Sequence, residues 1–415
     1  MKKFLSLALL LSFLSPNTLA FASSISQNNQ VIKKSTLEAK LKEAEELYEK
    51  LEFDKALKIL KELEKQYPNN PKVLFLLGKV LYDLGNYGEA TKYFEKLIKI
   101  NPNNSEYYFW AAKAYLKLGN LDKALLYVKH ALKLKEDAKY YNLLGLIYVA
   151  KGDLKKAEEA YKKAIKLNPE FADAYYNLGV LYLLQGKQNL AEKYFKKAIA
   201  LAPKKALYHL KLAELYKKQG RLKEAIEQLL EALKYQEATA LAYLNIALTY
   251  YQNKEYDKAL EYAQKALLLN PEYYEAYILI GNIYEKKHMY DLAEMAYKTA
   301  LQIATSQGDK LKIFDAGVLL GSLYYKMGLW DASVVTFKSL IPINPKAPII
   351  YYYLSLNYEK LGFEKAAEAE KETLEALLRE LRQEKLHAKT QEEKNEKQNL
   401  IDKIENFLEK LKEKF

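Results

Sequence analysis

The sequence predicts an all-α chain: a solenoid of about ten helical hairpins with a C-terminal helical extension. The first observation is a pattern that occurs twice between Ala138 and Pro203 at a fixed spacing of 34 residues. Tyr141, Leu144, Gly145, Tyr148, Ala157, Tyr161, Ala164 and Pro169 recur as Tyr175, Leu178, Gly179, Tyr182, Ala191, Phe195, Ala198 and Pro203. The second is helical apolar spacing inside each copy, with Gly152 or Gly186 parting two such runs, so that a copy reads as a hairpin. The third is size, since so small a unit cannot bury its own apolar face and must stack on neighbours.

With Tyr141 and Tyr175 taken as position 4 of the frame, these residues resemble the tetratricopeptide-repeat family. Its pattern is an aromatic, Leu-Gly, Tyr, Ala, Phe, Ala and Pro in a period of about 34. The resemblance implies a right-handed superhelix whose concave groove is lined by positions 2, 5, 9, 12 and 13. It also implies binding of other polypeptides rather than catalysis.

The frame runs through ten copies, beginning near residues 37, 71, 105, 138, 172, 206, 240, 274, 314 and 348. Position 8 is small in every copy (Ala44, Gly78, Ala112, Gly145, Gly179, Ala213, Ala247, Gly281, Gly321, Ser355), as is position 20, and both read as close contacts between helices. A Gly inside a helix costs about 1 kcal/mol against Ala, which only close backbone approach offsets. Pro68, Pro102, Pro169, Pro203, Pro271 and Pro345 stop one unit before the next. The extra residues around Gly308 to Ile313 predict a longer first helix in the ninth copy, capped by Asp309.

Four segments follow. Residues 1–22 read as a secretory signal peptide, with Lys2 and Lys3, the apolar run Phe4 to Leu14 and Ala20-Phe21-Ala22. That run rises about 16 Å as a helix, short of the roughly 30 Å hydrocarbon core. Residues 23–36 are a flexible lead-in, 37–363 the solenoid, and 364–415 a C-terminal capping helix or helical hairpin. In the last segment Leu374, Leu377, Leu378 and Leu381 form one apolar stripe and Leu400 to Leu411 a second. Thr390 with Glu393 offers a capping box between them. The second stripe is expected to fold back on the last hairpin, with a homo-oligomer formed through the tail as the alternative.

The formal charge of +12 comes almost wholly from lysine, for Arg occurs only at 221, 379 and 382. Lysines interleaved with glutamates solvate helix faces, and so poor a supply of guanidinium forks argues against a nucleic-acid partner. The absence of cysteine excludes disulfides, thiolate metal sites and lipidation at an N-terminal Cys. The four histidines have no metal-ligand spacing, and His209 replaces a packing aromatic at position 4. No phosphate-loop or nucleophile-elbow motif is present. The expectation is therefore no enzyme activity, no cofactor and no metal.

Among the 37 tyrosines, those at positions 4 and 11 read as core, while Tyr82, Tyr176, Tyr251, Tyr325 and Tyr352, at positions 5 and 12, read as groove contacts. The candidate partner surface in copies four to seven is Leu146, Val149, Tyr176, Val180, Leu183, Leu184, Leu207, Leu210, Leu241, Leu244, Leu248 and Tyr251. Charge flanks it, with Lys79, Asp83, Lys113 and Lys117 before and Glu285, Lys286, Lys326, Glu359 and Lys360 after. An oily centre with charged ends suits an amphipathic helix or an apolar extended segment of a partner protein. The family's carboxylate clamp is missing, since Asn177 and Asn245 stand at position 6 without partnering lysines. The expected function is an exported scaffold, periplasmic or secreted, in cell-envelope assembly. The alternative is a carbohydrate-binding or enzyme-accessory module of polysaccharide machinery that uses the groove tyrosines.

Overall fold

The computed structural model describes residues 36–413, and every regular element among them is a helix. The expected signal peptide and nearly all of the lead-in lie outside the described residues. The chain divides into two compact units, one ending at Pro203 and one beginning at Lys204. In the first, helix 36–49 pairs with Phe53–Gln66, Pro71–Asp83 with Tyr87–Ile100, Ser105–Lys117 with Leu121–Leu134, Ala138–Ala150 with Leu154–Leu167, and Ala172–Leu184 with Gln188–Leu201. The second pairs Ala206–Lys218 with Leu222–Lys234, Ala240–Gln252 with Tyr256–Leu269, Tyr274–Lys286 with Tyr290–Gln307, Lys310–Lys326 with Trp330–Leu340, and Pro348–Lys360 with Glu364–His387, then adds Gln391–Lys412.

What sets the approach of the two helices in a hairpin is a pairing between positions 8 and 24. Wherever position 24 is aromatic (Phe94, Tyr161, Phe195, Tyr297, Phe337), position 8 is Gly. Wherever it is Leu60, Val128, Leu229, Ala263 or Lys371, position 8 is Ala or Ser. The reason is steric. A Cβ on Gly179 would stand 2.7 Å from two ring carbons of Phe195, and one on Gly145 would stand 2.4 Å from the Tyr161 ring.

The turn inside each hairpin is also uniform, since position 15 is left-handed in all ten copies. Seven are glycines such as Gly152, with φ of 79°, but Leu51, Lys254 and His288 hold φ of 62°, 61° and 59°. After Gly152, Asp153 N–H donates to the Tyr148 carbonyl at 2.9 Å, the wrap that closes a helix C-terminus. Asp153 then caps the next helix through Lys156 N–H.

The core departs from expectation in one row. Tyrosines at position 11 are mostly buried, as at Tyr115, Tyr182, Tyr216, Tyr250 and Tyr324, but those at position 4 are half-buried. The deepest rows are instead positions 3 and 10, with Val73, Tyr140, Tyr208 and Ile350 in one and Val80, Ile147, Leu181, Leu215 and Ile283 in the other. Tyr140 shows why, for its ring stacks at 5.0 Å on Phe109 of the preceding hairpin and its hydroxyl lies 3.0 Å from Ser105 Oγ. Position 3 thus joins hairpin to hairpin, whereas the tyrosines of position 4 sit at the margin, unlike the buried Leu74 and His209 of that row. Asn357 stands in the position 10 row of the last hairpin, where its Nδ2 donates to Ser333 Oγ at 2.8 Å and to the Tyr353 carbonyl at 2.6 Å.

Asp309 caps the long helix Lys310–Lys326 by accepting from Leu311 and Lys312 N–H, as its position predicts. The insertion lengthens the helix before it as well, to Gln307, closed by left-handed Gly308. The tail is two helices, and Thr390 and Glu393 form the capping box between them. Leu374, Leu378, Ile401, Ile404, Leu408 and Leu411 are buried in one cluster with Leu356, so both stripes are covered within the chain.

Candidate binding surface

At 100° per residue, positions 2, 5, 9, 12 and 13 fall within an arc of about 100° on the first helix of a hairpin, roughly a quarter-turn from position 8. Position 8 meets the second helix, so this arc forms a side row that the hairpin does not cover itself. In the first unit the row carries Leu146, Val149, Tyr176, Val180, Leu183 and Leu184. Leu184 is 61% exposed and Leu146 36%, while Val149, Val180 and Leu183 are half-buried. Tyr176 is half-buried, its ring 5.8 Å from that of Phe195. In the second unit Leu207 and Leu241 are exposed, and Leu210, Leu248 and Tyr251 are half-buried.

Leu244 is a correction. It is only 4% exposed, because Leu210, Leu248, Tyr251 and Tyr273 pack over the cluster it belongs to, so it presents no face to a partner. Tyr325 and Tyr352 are also withdrawn from the contact set. Phe407 of the last helix stacks on Tyr352 at 4.3 Å, and Tyr325 packs against the same tail cluster. His209 is a packing histidine as expected, buried with its Nδ1 2.8 Å from Gln228 Oε1.

Along this row the first unit contains a cavity of about 680 Å³, which spacing in the sequence does not separate from the rest of the groove. Its apolar wall is Tyr82, Phe109, Leu116, Leu143, Leu146 and Phe171, and its polar groups are Lys113, Lys117, Lys139, Asn142 and Asp173. Phe171 lies in the connection between copies, at the N-cap of Ala172–Leu184, outside the positions that the repeat frame assigns to the groove. The signal was available in Asn168-Pro169-Glu170-Phe171, which recurs as Asn270-Pro271-Glu272-Tyr273.

Among the described residues, lysines near these rows are paired in some copies and unpaired in others, in both units. In the second, Lys326 pairs with Glu285, which also accepts from the buried Tyr297 hydroxyl at 3.0 Å, and Lys312 pairs with Glu275 at 2.9 Å. In the first, Lys113 Nζ lies 4.2 Å from the Trp110 ring centre and 4.7 Å from that of Tyr82. Lys79 Nζ lies 4.4 Å over the Tyr48 ring. Neither lysine has an ion pair among the described residues. Burial holds the Lys113 ammonium below the usual lysine range, the pull of Asp83 works against this, and repulsion by Lys117 and Lys79 adds to it. Asp83 itself accepts from the Tyr48 hydroxyl at 2.6 Å. Burial, with Tyr87 and Asp83 nearby, pushes the Tyr82 hydroxyl up to about 12.

Residues 21–244, more than half of the chain, match the family model of the cilia and flagella-associated protein 70 C-terminal domain. Two tetratricopeptide-repeat models match residues 240–273 and 274–307, in the frame of the seventh and eighth copies. Similar solved structures include MamA, 33% identical over 40% of this chain and 97% of that one, with a TM-score of 0.34. A thermophilic TPR protein of Thermus thermophilus is 32% identical over 43% of this chain and 98% of that one, with a TM-score of 0.40. YrrB, a TPR protein with an unusual peptide-binding site, is 27% identical over 44% and 95%, with a TM-score of 0.35. No curated protein sequence matches the chain.

Proposed function

Because the chain belongs to the tetratricopeptide-repeat family, we propose that it is an exported protein-interaction scaffold that holds partner segments along the first-helix rows of its hairpins during cell-envelope assembly. The observation that carries the binding surface is the exposure of Leu146, Leu184, Leu207 and Leu241 on those rows. All four stand on one side of the first helices, and exposed apolar surface gathered on one face suits an interaction surface. The occupant is an amphipathic helix or an apolar extended segment. Export rests on the leader-like residues 1–22. No described helix is long and apolar enough to cross a membrane.

The test is a matched affinity purification from native cells with mass spectrometry. Leu183→Glu combined with Leu248→Glu is expected to abolish capture of the wild-type partner with helicity kept and Tm lowered, because both side chains are half-buried and Leu248 packs over the Leu244 cluster. Leu268→Glu, at an 81% exposed site on a second helix, is the control that keeps capture. A double variant that captures the partner as wild type does, or that unfolds, would remove these rows as the binding surface. N-terminal sequencing of the native protein checks export, with Ser23 expected first and a retained Met1 against it.

A further inference from the structure

The cavity of the first unit has polar groups that mostly donate. Lys113 and Lys117 have no ion pair among the described residues, while Lys139 is 3.5 Å from Glu106. Asn142 accepts from Asn177 Nδ2 at 2.9 Å through its Oδ1, which leaves its own amide hydrogens to donate. Asp173 is the one carboxylate in the lining. Lys79 stands behind this group over Tyr48. Lys113 and Lys117 thus stand beside an apolar wall, with Lys79 sharing the Trp110 ring with Lys113, and the nearby Asp83 is engaged by a tyrosine hydroxyl.

A partly desolvated lysine that feels two like charges is stabilised by any carboxylate brought to it, and more strongly at the mouth of a cavity than in open water. The aromatic faces of Trp110 and Tyr82 fix where Lys113 holds its charge but cannot neutralise it. Phe109, Leu143, Leu146 and Phe171 form part of the apolar wall of the same space, which suits an aliphatic or aromatic side chain.

Resting on the scaffold reading, we propose that this cavity is a recognition site for an acidic, apolar peptide segment of a partner protein. One apolar side chain fills the space beside Leu146 and Phe171, and adjacent carboxylates meet Lys113 and Lys117. This differs from the oily centre with remote charged ends that the sequence alone predicts, because the structure puts Leu146 and the two lysines around one space. It also sets the site apart from two copies of the second unit. There Lys218 and Lys326 stand at position 13, as Lys117 does, but are already paired with Glu214 and Glu285.

The experiment is fluorescence anisotropy of the full chain with a labelled peptide of two leucines flanked on each side by two glutamates. Controls are the same peptide with lysines for glutamates and a labelled oligothymidine. The acidic peptide is expected to bind, more weakly as salt rises, and to lose about tenfold in affinity for each of Lys113→Ala and Lys117→Glu. Lys117 is exposed, so its variant folds, and circular dichroism checks Lys113→Ala. Leu268→Glu, on a second helix of the second unit, is expected to leave the affinity unchanged. Equal binding of the lysine peptide, tighter binding of oligothymidine, or an acidic-peptide affinity that neither lysine variant changes would overturn the proposal. If the acidic peptide fails to bind while Leu183→Glu with Leu248→Glu still abolishes partner capture, this ligand class falls and the scaffold reading stands.

Discussion

Exchanging one hairpin's contact pair for another's tests the steric rule that shapes every copy. In Gly179→Ala the new Cβ would stand 2.7 Å from Cδ1 and Cε1 of Phe195 and 3.3 Å from the Ala191 carbonyl oxygen. Carbon atoms at rest sit about 3.5 to 4.0 Å apart, so the ring must retreat by roughly 0.8 Å or more. Phe195 is fully buried and has no room to do so without parting the helices. Overpacking of that kind costs about 1 to 3 kcal/mol, and the better helix propensity of Ala returns about 1. The net expectation is a loss of as much as roughly 2 kcal/mol. Phe195→Leu alone leaves a gap and should cost about 1 to 2 kcal/mol. The double variant recreates the Ala213 and Leu229 pair of the sixth copy, and should therefore be more stable than the sum of the singles by about 1 to 2 kcal/mol. Native-state hydrogen exchange of amides in residues 172–201 reads this locally, which matters in a repeat chain that need not unfold in one step. Strict additivity, or a Gly179→Ala chain more stable than wild type, would refute the reasoning.

Lys254→Gly and His288→Gly should each raise stability by as much as about 1 kcal/mol, because both residues sit at left-handed φ where a side chain is penalised. Thermal unfolding by circular dichroism checks this, and a lowered Tm in either variant counts against the strain. Thr390→Ala removes the cap of Gln391–Lys412 and should cost about 1 kcal/mol, seen as faster hydrogen exchange in that helix. Unchanged exchange there would show that packing of Ile404 and Phe407, not the cap, sets its stability.

How far the sequence could be read follows from what each signal measures. Repeat length, hairpin count and turn sites were legible because they depend on spacing alone. Gly at position 15 and the caps Asp309 and Thr390 therefore stand where they were expected. Burial was less legible, because neighbouring positions on a helix differ by 100° and only the packing of the next hairpin decides which of them is covered. Positions 3 and 4 both carry tyrosine in the fourth copy, yet Tyr140 is buried and Tyr141 is not. The groove set failed at Leu244 for the same reason, since its cover comes from neighbouring leucines and tyrosines rather than from its own position.

The pairing of positions 8 and 24 is written in the sequence itself. All ten copies obey it, although a small residue at position 8 by itself implies only a general contact. Two helices held at one distance can fill the space between them with Gly and a ring or with Ala and a smaller side chain, so the backbone geometry survives while the chemistry of the contact alternates. Such exchange keeps hairpins interchangeable in shape. The first-helix rows are then free to differ from copy to copy: unpaired lysines beside an apolar cavity in the first unit, and lysines already joined to Glu285 and Glu275 in the second. Ligand choice can therefore be written on those rows without disturbing the frame that presents them.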